Sequence, residues 1–144
     1  MKKITLLLVG MMASGMASAV QLEASGPVTV LNCTLLNEDV AINLTTGVNA
    51  GVSCSTQTIA MAACHTAGRV TSRSAMIDSA GADCGPAPAT ACTGTLVSTP
   101  VEGAAMPTAT TAAGTVISQY PGTGVCDAVK AETNATAAVT AADA

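Results

Sequence analysis

The feature that most restricts how this chain can fold is its near-complete lack of large aromatic side chains. The 144 residues include no Trp, no Phe and one Tyr, Tyr120. An aromatic ring in a core ordinarily buries about 150–250 Å² of surface. Without such rings the core must be aliphatic and thin, so covalent crosslinks become important for its stability.

Cysteines can supply those crosslinks. The chain has six of them, an even number: Cys33, Cys54, Cys64, Cys84, Cys92 and Cys126. In an exported chain, an even cysteine count predicts a framework of disulfides, here three. The short segment 85–88 is rich in Gly and Pro and can turn back on itself, so we expect Cys84 to pair with Cys92. The sequence leaves the other pairings open.

The first residues have the pattern of a secretory signal. A positive start, Met1-Lys2-Lys3, precedes an apolar stretch over 4–12, and Ala17-Ser18-Ala19 has the small-x-small form of a cleavage site. We predict a signal peptide over 1–19, with cleavage after Ala19. The apolar stretch is too short to anchor the chain in a bilayer, so we expect no stable membrane insertion. The predicted location is secreted: periplasm, cell surface or extracellular space.

Charge is sparse and acidic. Cleavage removes Lys2 and Lys3 from the five basic residues and none of the nine acidic ones, so the net charge changes from −4 to −6. Such a chain offers no basic surface for phosphate groups, which argues against nucleic acid as a partner.

The mature chain reads as a small disulfide-stabilised single domain, mainly β with one or two short helices, although an α+β arrangement is possible. Its β-rich part is assigned to 20–127, and the Ala/Thr-rich residues 128–144 form a C-terminal helix or a flexible tail. Alternation and Val, Ile, Leu and Thr content predict strands at 20–24, 28–36, 40–44, 48–54, 70–77, 95–101 and 115–120.

Two further segments carry predictions of their own. Ser55 or Thr56 can cap a short helix running through Cys64, with Gly68 as its stop. Residues 103–114 are biased toward Ala and Thr and are predicted to be a low-complexity surface segment.

No set of residues suited to catalysis is apparent. The one histidine, His65, directly follows a cysteine expected in a disulfide, and nothing else completes a nucleophile–base pair. The cysteine gaps also lack the Cys-x-x-Cys pairs of zinc and redox sites. We therefore expect a protein that is not an enzyme, with no catalytic residues, no cofactor and no metal site.

A structural role is the leading hypothesis. Val20, Leu22 and Ala24 share one face of an extended segment directly after the predicted cleavage site, so this strand could pair with a sheet edge of another copy. Repeated head to tail, the contact would give a homopolymer. In general character, though by no family-specific motif, the chain resembles subunits of bacterial extracellular fibres. The alternative for this segment is an ordinary edge strand of its own domain.

A small secreted binding module or inhibitor is the competing hypothesis. A stapled loop between Cys84 and Cys92 could present residues to a partner that the sequence does not identify. Its contact residues would be Asp83, Gly85, Pro86 and Pro88.

Overall fold

The computed structural model describes residues 18–78 and 96–144. Within them the chain is mainly β, as the sequence predicts, and it ends in one helix. The elements are β1 (Ser18–Leu22), β2 (Gly26–Val28), β3 (Val40–Ile42), β4 (Val48–Cys54), β5 (Ile59–His65), β6 (Arg73–Asp78), β7 (Leu96–Val101), β8 (Met106–Thr110), β9 (Val116–Gln119) and α1 (Ala128–Ala142).

A five-stranded sheet organises the molecule. Its strand order is β1-β4-β5-β8-β9, and each neighbouring pair is antiparallel. The strands β2 and β3 form a separate two-stranded pair, as do β6 and β7. Among the described strands the large sheet is open, with β1 and β9 at its two edges.

Helix α1 packs on one face of this sheet through small residues. Ala60 and Ala62 of β5 form a buried cluster with Ala135 and Ala138 of the helix. At Gly51 in β4, an added Cβ would overlap the backbone N and Cα of Glu132. The helix backbone therefore lies directly against the strand, which explains how a core without aromatic rings can still be close-packed.

The start of α1 is fixed by an N-cap. The Asp127 carboxylate accepts a hydrogen bond of 2.7 Å from the backbone N–H of Lys130. The Lys130 ammonium lies 3.4 Å from the same carboxylate and donates to the carbonyl of Val125. These contacts satisfy a free backbone donor at the helix start and fix where the helix begins.

Two disulfides lie within the described residues. Cys33–Cys54 attaches the segment after β2 to the end of β4, and Cys64–Cys126 joins β5 to the residue before the helix cap. Cys84 and Cys92 lie outside the described residues, so their pairing stays a prediction. They are nevertheless the two cysteines that the observed bridges leave over.

The helix predicted between Ser55 or Thr56 and Gly68 is wrong, because the middle of this segment forms β5. The spacing of Ile59, Ala62 and Ala63 predicts a helix, yet burial alternates with a period of two: Ala60, Ala62 and Cys64 are buried whereas Met61 is exposed. The Ser55 hydroxyl caps no helix. It accepts hydrogen bonds from the N–H groups of Gln57 and Thr58 and so closes the β4–β5 turn.

The predicted surface segment over 103–114 is also wrong, because it contains β8. Met106, Thr108 and Thr110 are almost fully buried at alternate positions of this strand. Threonines can be buried here because their hydroxyls bond locally: Thr108 donates to the carbonyl of Met106. The period-two pattern of a half-buried strand is present here, but it is made partly of Thr, which hides it in an Ala/Thr-rich composition.

The strand predicted over 28–36 is mostly a turn. Strand β2 ends at Val28, and the amides of Asn32 and Cys33 then bond to the carbonyl of Thr29. The Thr29 hydroxyl also donates to the side chain of Asn32, a local bond that competes with strand pairing. The other predicted strands coincide, within a few residues, with β1, β3, β4, β6, β7 and β9.

The predicted domain boundaries at 19/20 and 127/128 fall within β1 and at the start of α1. Residues 1–17 of the predicted signal lie outside the described part, while Ser18 and Ala19 pair with Cys54 and Ser53 in β1. Cleavage after Ala19 would leave Val20 to Leu22 paired with β4. Residues 128–142 are the helix α1, and no helix in 18–78 or 96–144 is long and apolar enough to cross a membrane.

Candidate functional site

The strand predicted to make subunit contacts forms one edge of the chain's own sheet. Val20 and Leu22 face the core, where Leu22 is 6% exposed and packs with the cluster around the Cys33–Cys54 bridge. Ala24 follows the end of β1 and is exposed, so it does not share the strand face with them. The structure brings two of the three predicted contact residues together and leaves the third outside the strand.

Among the residues that the structure describes, no strand pairs with the outer side of β1. Its inner side pairs with β4 over all five residues, from Ser18 to Leu22. Gln21 lies on the helix side of the sheet and donates a 2.9 Å hydrogen bond to the carboxylate of Glu132. Glu23, the residue directly after the end of β1, is exposed. This edge is therefore an extended backbone beside two acidic side chains.

The opposite edge, β9, has a different character. It pairs with β8 on one side, and Val116 at its start is 69% exposed. None of the residues 103–126 is charged. A strand is predicted here from the sequence at 115–120, with no function assigned to it. Charge does not single this edge out in the sequence, because residues 40–68 also contain no Asp, Glu, Lys or Arg.

The strand register lines up apolar residues in one row across the sheet face opposite α1. Val20 pairs with Val52, Val52 with Met61, and Met61 with Ala109, which pairs with Val116. The half of this face on β1 and β4 is covered by the core cluster of the 26–44 segment. The other half is barer, and Met61 is 42% exposed.

An open hollow of about 330 Å³ lies on this barer half. Its walls are side chains of β5 and of the β8–β9 hairpin, among them Ile59, Met61 and Val116. No ionisable group lines it. It can offer apolar contact to another chain but no acid, base or metal ligand.

A positive charge lies just beyond β9. The Arg73 guanidinium is 5.0 Å from the centre of the Tyr120 ring, a cation–π geometry. It also donates hydrogen bonds to the carbonyls of Arg69 and Gly103. Arg73 is thus held in place at the end of the sheet where β9 ends.

His65 has a structural position. It is the exposed last residue of β5, and its Nδ1 accepts a 3.0 Å hydrogen bond from the backbone N–H of Ala67. Over residues 18–78 and 96–144, no group of three or more His, Cys, Asp or Glu side chains is placed to hold a metal ion. The loop residues of the alternative hypothesis, Asp83, Gly85, Pro86 and Pro88, lie outside those ranges.

No protein-family model, no curated protein and no solved structure matches this chain. The two sheet edges and the side chains beside them are the features of this chain that bear on its function.

Proposed function

We propose that this chain is an exported structural protein, a pilin-like subunit that self-assembles into an extracellular filament through its N-terminal strand. The observation that carries the proposal is the position of β1. It is an edge strand of the sheet that the described residues form, and within 18–78 and 96–144 no strand pairs with the backbone donors and acceptors on its outer side. Strand pairing between copies would use this row.

The construction of the domain supports a structural role. Two disulfides tie the outer segments to β4 and β5, and the sheet and helix meet through alanines and a glycine. Such crosslinks form and persist in oxidising compartments outside the cytosol. The predicted signal over 1–19 provides the export route. The protein so described has no enzymatic role and needs no cofactor.

Cleavage after Ala19 would shorten the strand available for this contact. Val20 would become the first residue, and Leu22 would remain inserted in the core of its own subunit. Removing the strand would open that core, so a deletion tests folding and assembly together. Substitution of exposed side chains on or beside the strand can disrupt assembly without disrupting folding. Gln21 and Glu23 are both exposed and suit this purpose.

The test is to purify the oxidised protein after export and examine it by negative-stain electron microscopy and size-exclusion chromatography. Regular fibres, with a matching high-mass fraction, are the expected result. A monodisperse monomer at high concentration would contradict the proposal. That outcome would favour the secreted binding module, and the next experiment would then be capture of a partner by the segment between Cys84 and Cys92.

A further inference from the structure

We propose that the free side of β1 in one copy pairs with the free side of β9 in the next copy, so that the five-stranded sheets join edge to edge. The inference rests on the proposed function and deepens it by naming the acceptor surface. In this arrangement β1 stays on its own β4, and no strand is exchanged.

Strand direction makes this contact repeatable. Each strand of the sheet is antiparallel to its neighbour, so β1 and β9, four steps apart, run in the same direction. A second copy displaced sideways, and rotated so that it continues the twist of the sheet, therefore sets its β1 parallel to β9. The contact joins two different surfaces and leaves one of each free, so it continues into an open fibre instead of closing as a dimer.

The sequence of β9 suits an acceptor. Proteins commonly guard a free edge with a charge, a proline or a bulge. The segment Val116-Ile117-Ser118-Gln119 contains no charged residue and no proline. Because the surrounding stretch 103–126 is also uncharged, an acidic subunit can approach this edge with little like-charge repulsion.

Side-chain alternation restricts the register. Val20 and Leu22 lie on the same sheet face as Val116, as the cross-strand row shows. Neighbouring side chains in a sheet share a face, so Val20 of the second copy can lie beside Val116, which places Leu22 beside Ser118. The apolar row of each subunit would then continue into the next one.

Charge selects this pairing over its alternatives. In the parallel arrangement, Glu23 at the end of β1 arrives at the end of β9 where Arg73 lies against Tyr120. The ion pair found among the described residues is Lys130–Asp127, so neither Glu23 nor Arg73 has an opposite charge paired to it there. A contact between two β1 edges would instead set two edges against each other that both carry the acidic side chains Glu23 and Glu132 nearby.

Three double variants test the contact, each placing two lysines at exposed positions. Val116→Lys with Ser118→Lys blocks the β9 edge. Gln21→Lys with Glu23→Lys blocks the β1 edge. The matched control on the outer side of α1 is Val129→Lys with Thr133→Lys. Circular dichroism and melting temperature establish that each variant folds, and light scattering and electron microscopy report its assembly.

We expect the unmodified protein and the α1 control to form fibres, and each edge variant alone to stay monomeric. An equimolar mixture of the two edge variants should give particles of twice the monomer mass. The variant with Val116→Lys and Ser118→Lys keeps an unblocked β1 edge, and the variant with Gln21→Lys and Glu23→Lys keeps an unblocked β9 edge. The mixture is measured well above the concentration at which the unmodified protein assembles.

Other outcomes overturn the inference in distinguishable ways. Dimers of the β1 variant alone would show a contact between two β9 edges. Fibres of the β9 variant would remove β9 from the contact while leaving self-assembly intact, and a mixture that stays monomeric would exclude β1–β9 pairing. An unmodified protein that remains monomeric would contradict the proposed function as well.

Discussion

The amide of Asn134 in α1 donates a 2.8 Å hydrogen bond to the hydroxyl of Thr108 in β8, and both side chains are buried. This bond connects the helix to the sheet within an interface otherwise built mainly of alanines. The Thr108 hydroxyl in turn donates to the carbonyl of Met106. The pair fixes how far along the strand the helix lies, which alanine contacts alone specify weakly.

Thr108→Val should therefore destabilise the protein by about 1–3 kcal/mol, because it leaves the buried Asn134 amide without its acceptor. The double variant Thr108→Val with Asn134→Ala should lose less than the sum of the two single losses. Chemical denaturation of the four proteins measures the coupling between the residues. Additive losses would show that the bond contributes nothing beyond each side chain's own packing.

Gly51→Ala should be strongly destabilising, since its Cβ would overlap the backbone of Glu132 and force α1 away from β4. Overpacking of this kind typically costs about 1–3 kcal/mol. Gly26→Ala is the matched control, because a Cβ there meets the tip of the Leu22 side chain at 3.3 Å and the Ala24 carbonyl at an ordinary contact distance of 3.8 Å. Thermal melting should separate the two variants clearly, and equal melting temperatures would contradict the close approach of the helix.

Ser53→Ala should leave stability unchanged or raise it by up to about 1 kcal/mol. The Ser53 hydroxyl is fully buried and, alone among the buried side-chain groups described over 18–78 and 96–144, has no hydrogen-bond partner. Alanine removes this unpaired group and little volume. A loss of more than a small fraction of the unfolding free energy would indicate a partner for this hydroxyl.

Loss of the Cys64–Cys126 bridge should cost more than loss of Cys33–Cys54. The first closes 62 residues of chain and the second 21, and loop-closure entropy gives about 4 and about 3 kcal/mol respectively. The measurement compares melting of two double Cys→Ala variants with the oxidised parent. A reversed order would mean that packing of the released segment outweighs the entropy of the unfolded chain.

Much of the sheet was predictable because its strands alternate in the ordinary way. Val48 to Cys54 was predicted with its exact bounds, since Val residues and a closing cysteine set it apart from the turns beside it. The errors at 55–64 and 103–114 share a cause. Most buried positions of β5 and β8 are Ala or Thr, so the apolar signal that usually marks a strand is weak there.

The candidate site was predictable only in part. The sequence located an edge strand with Val20 and Leu22 on one face, because alternation can be recognised without tertiary contacts. It could not show β9 as the second edge, since strand order depends on pairings distant in sequence, such as Met61 with Ala109. The position of Arg73 beside Tyr120 likewise depends on how the chain folds back.

The bond between Cys64 and Cys126 also determines how a subunit would carry tension. Force applied beyond Ala142 can peel α1 from the sheet one turn at a time, but the unravelling must halt at Cys126, one residue before the helix cap. From there the load enters β5, the central strand of the sheet. A pulled subunit would lengthen by its helix and then hold, so the helix would serve as an extensible element and the sheet as the rigid one.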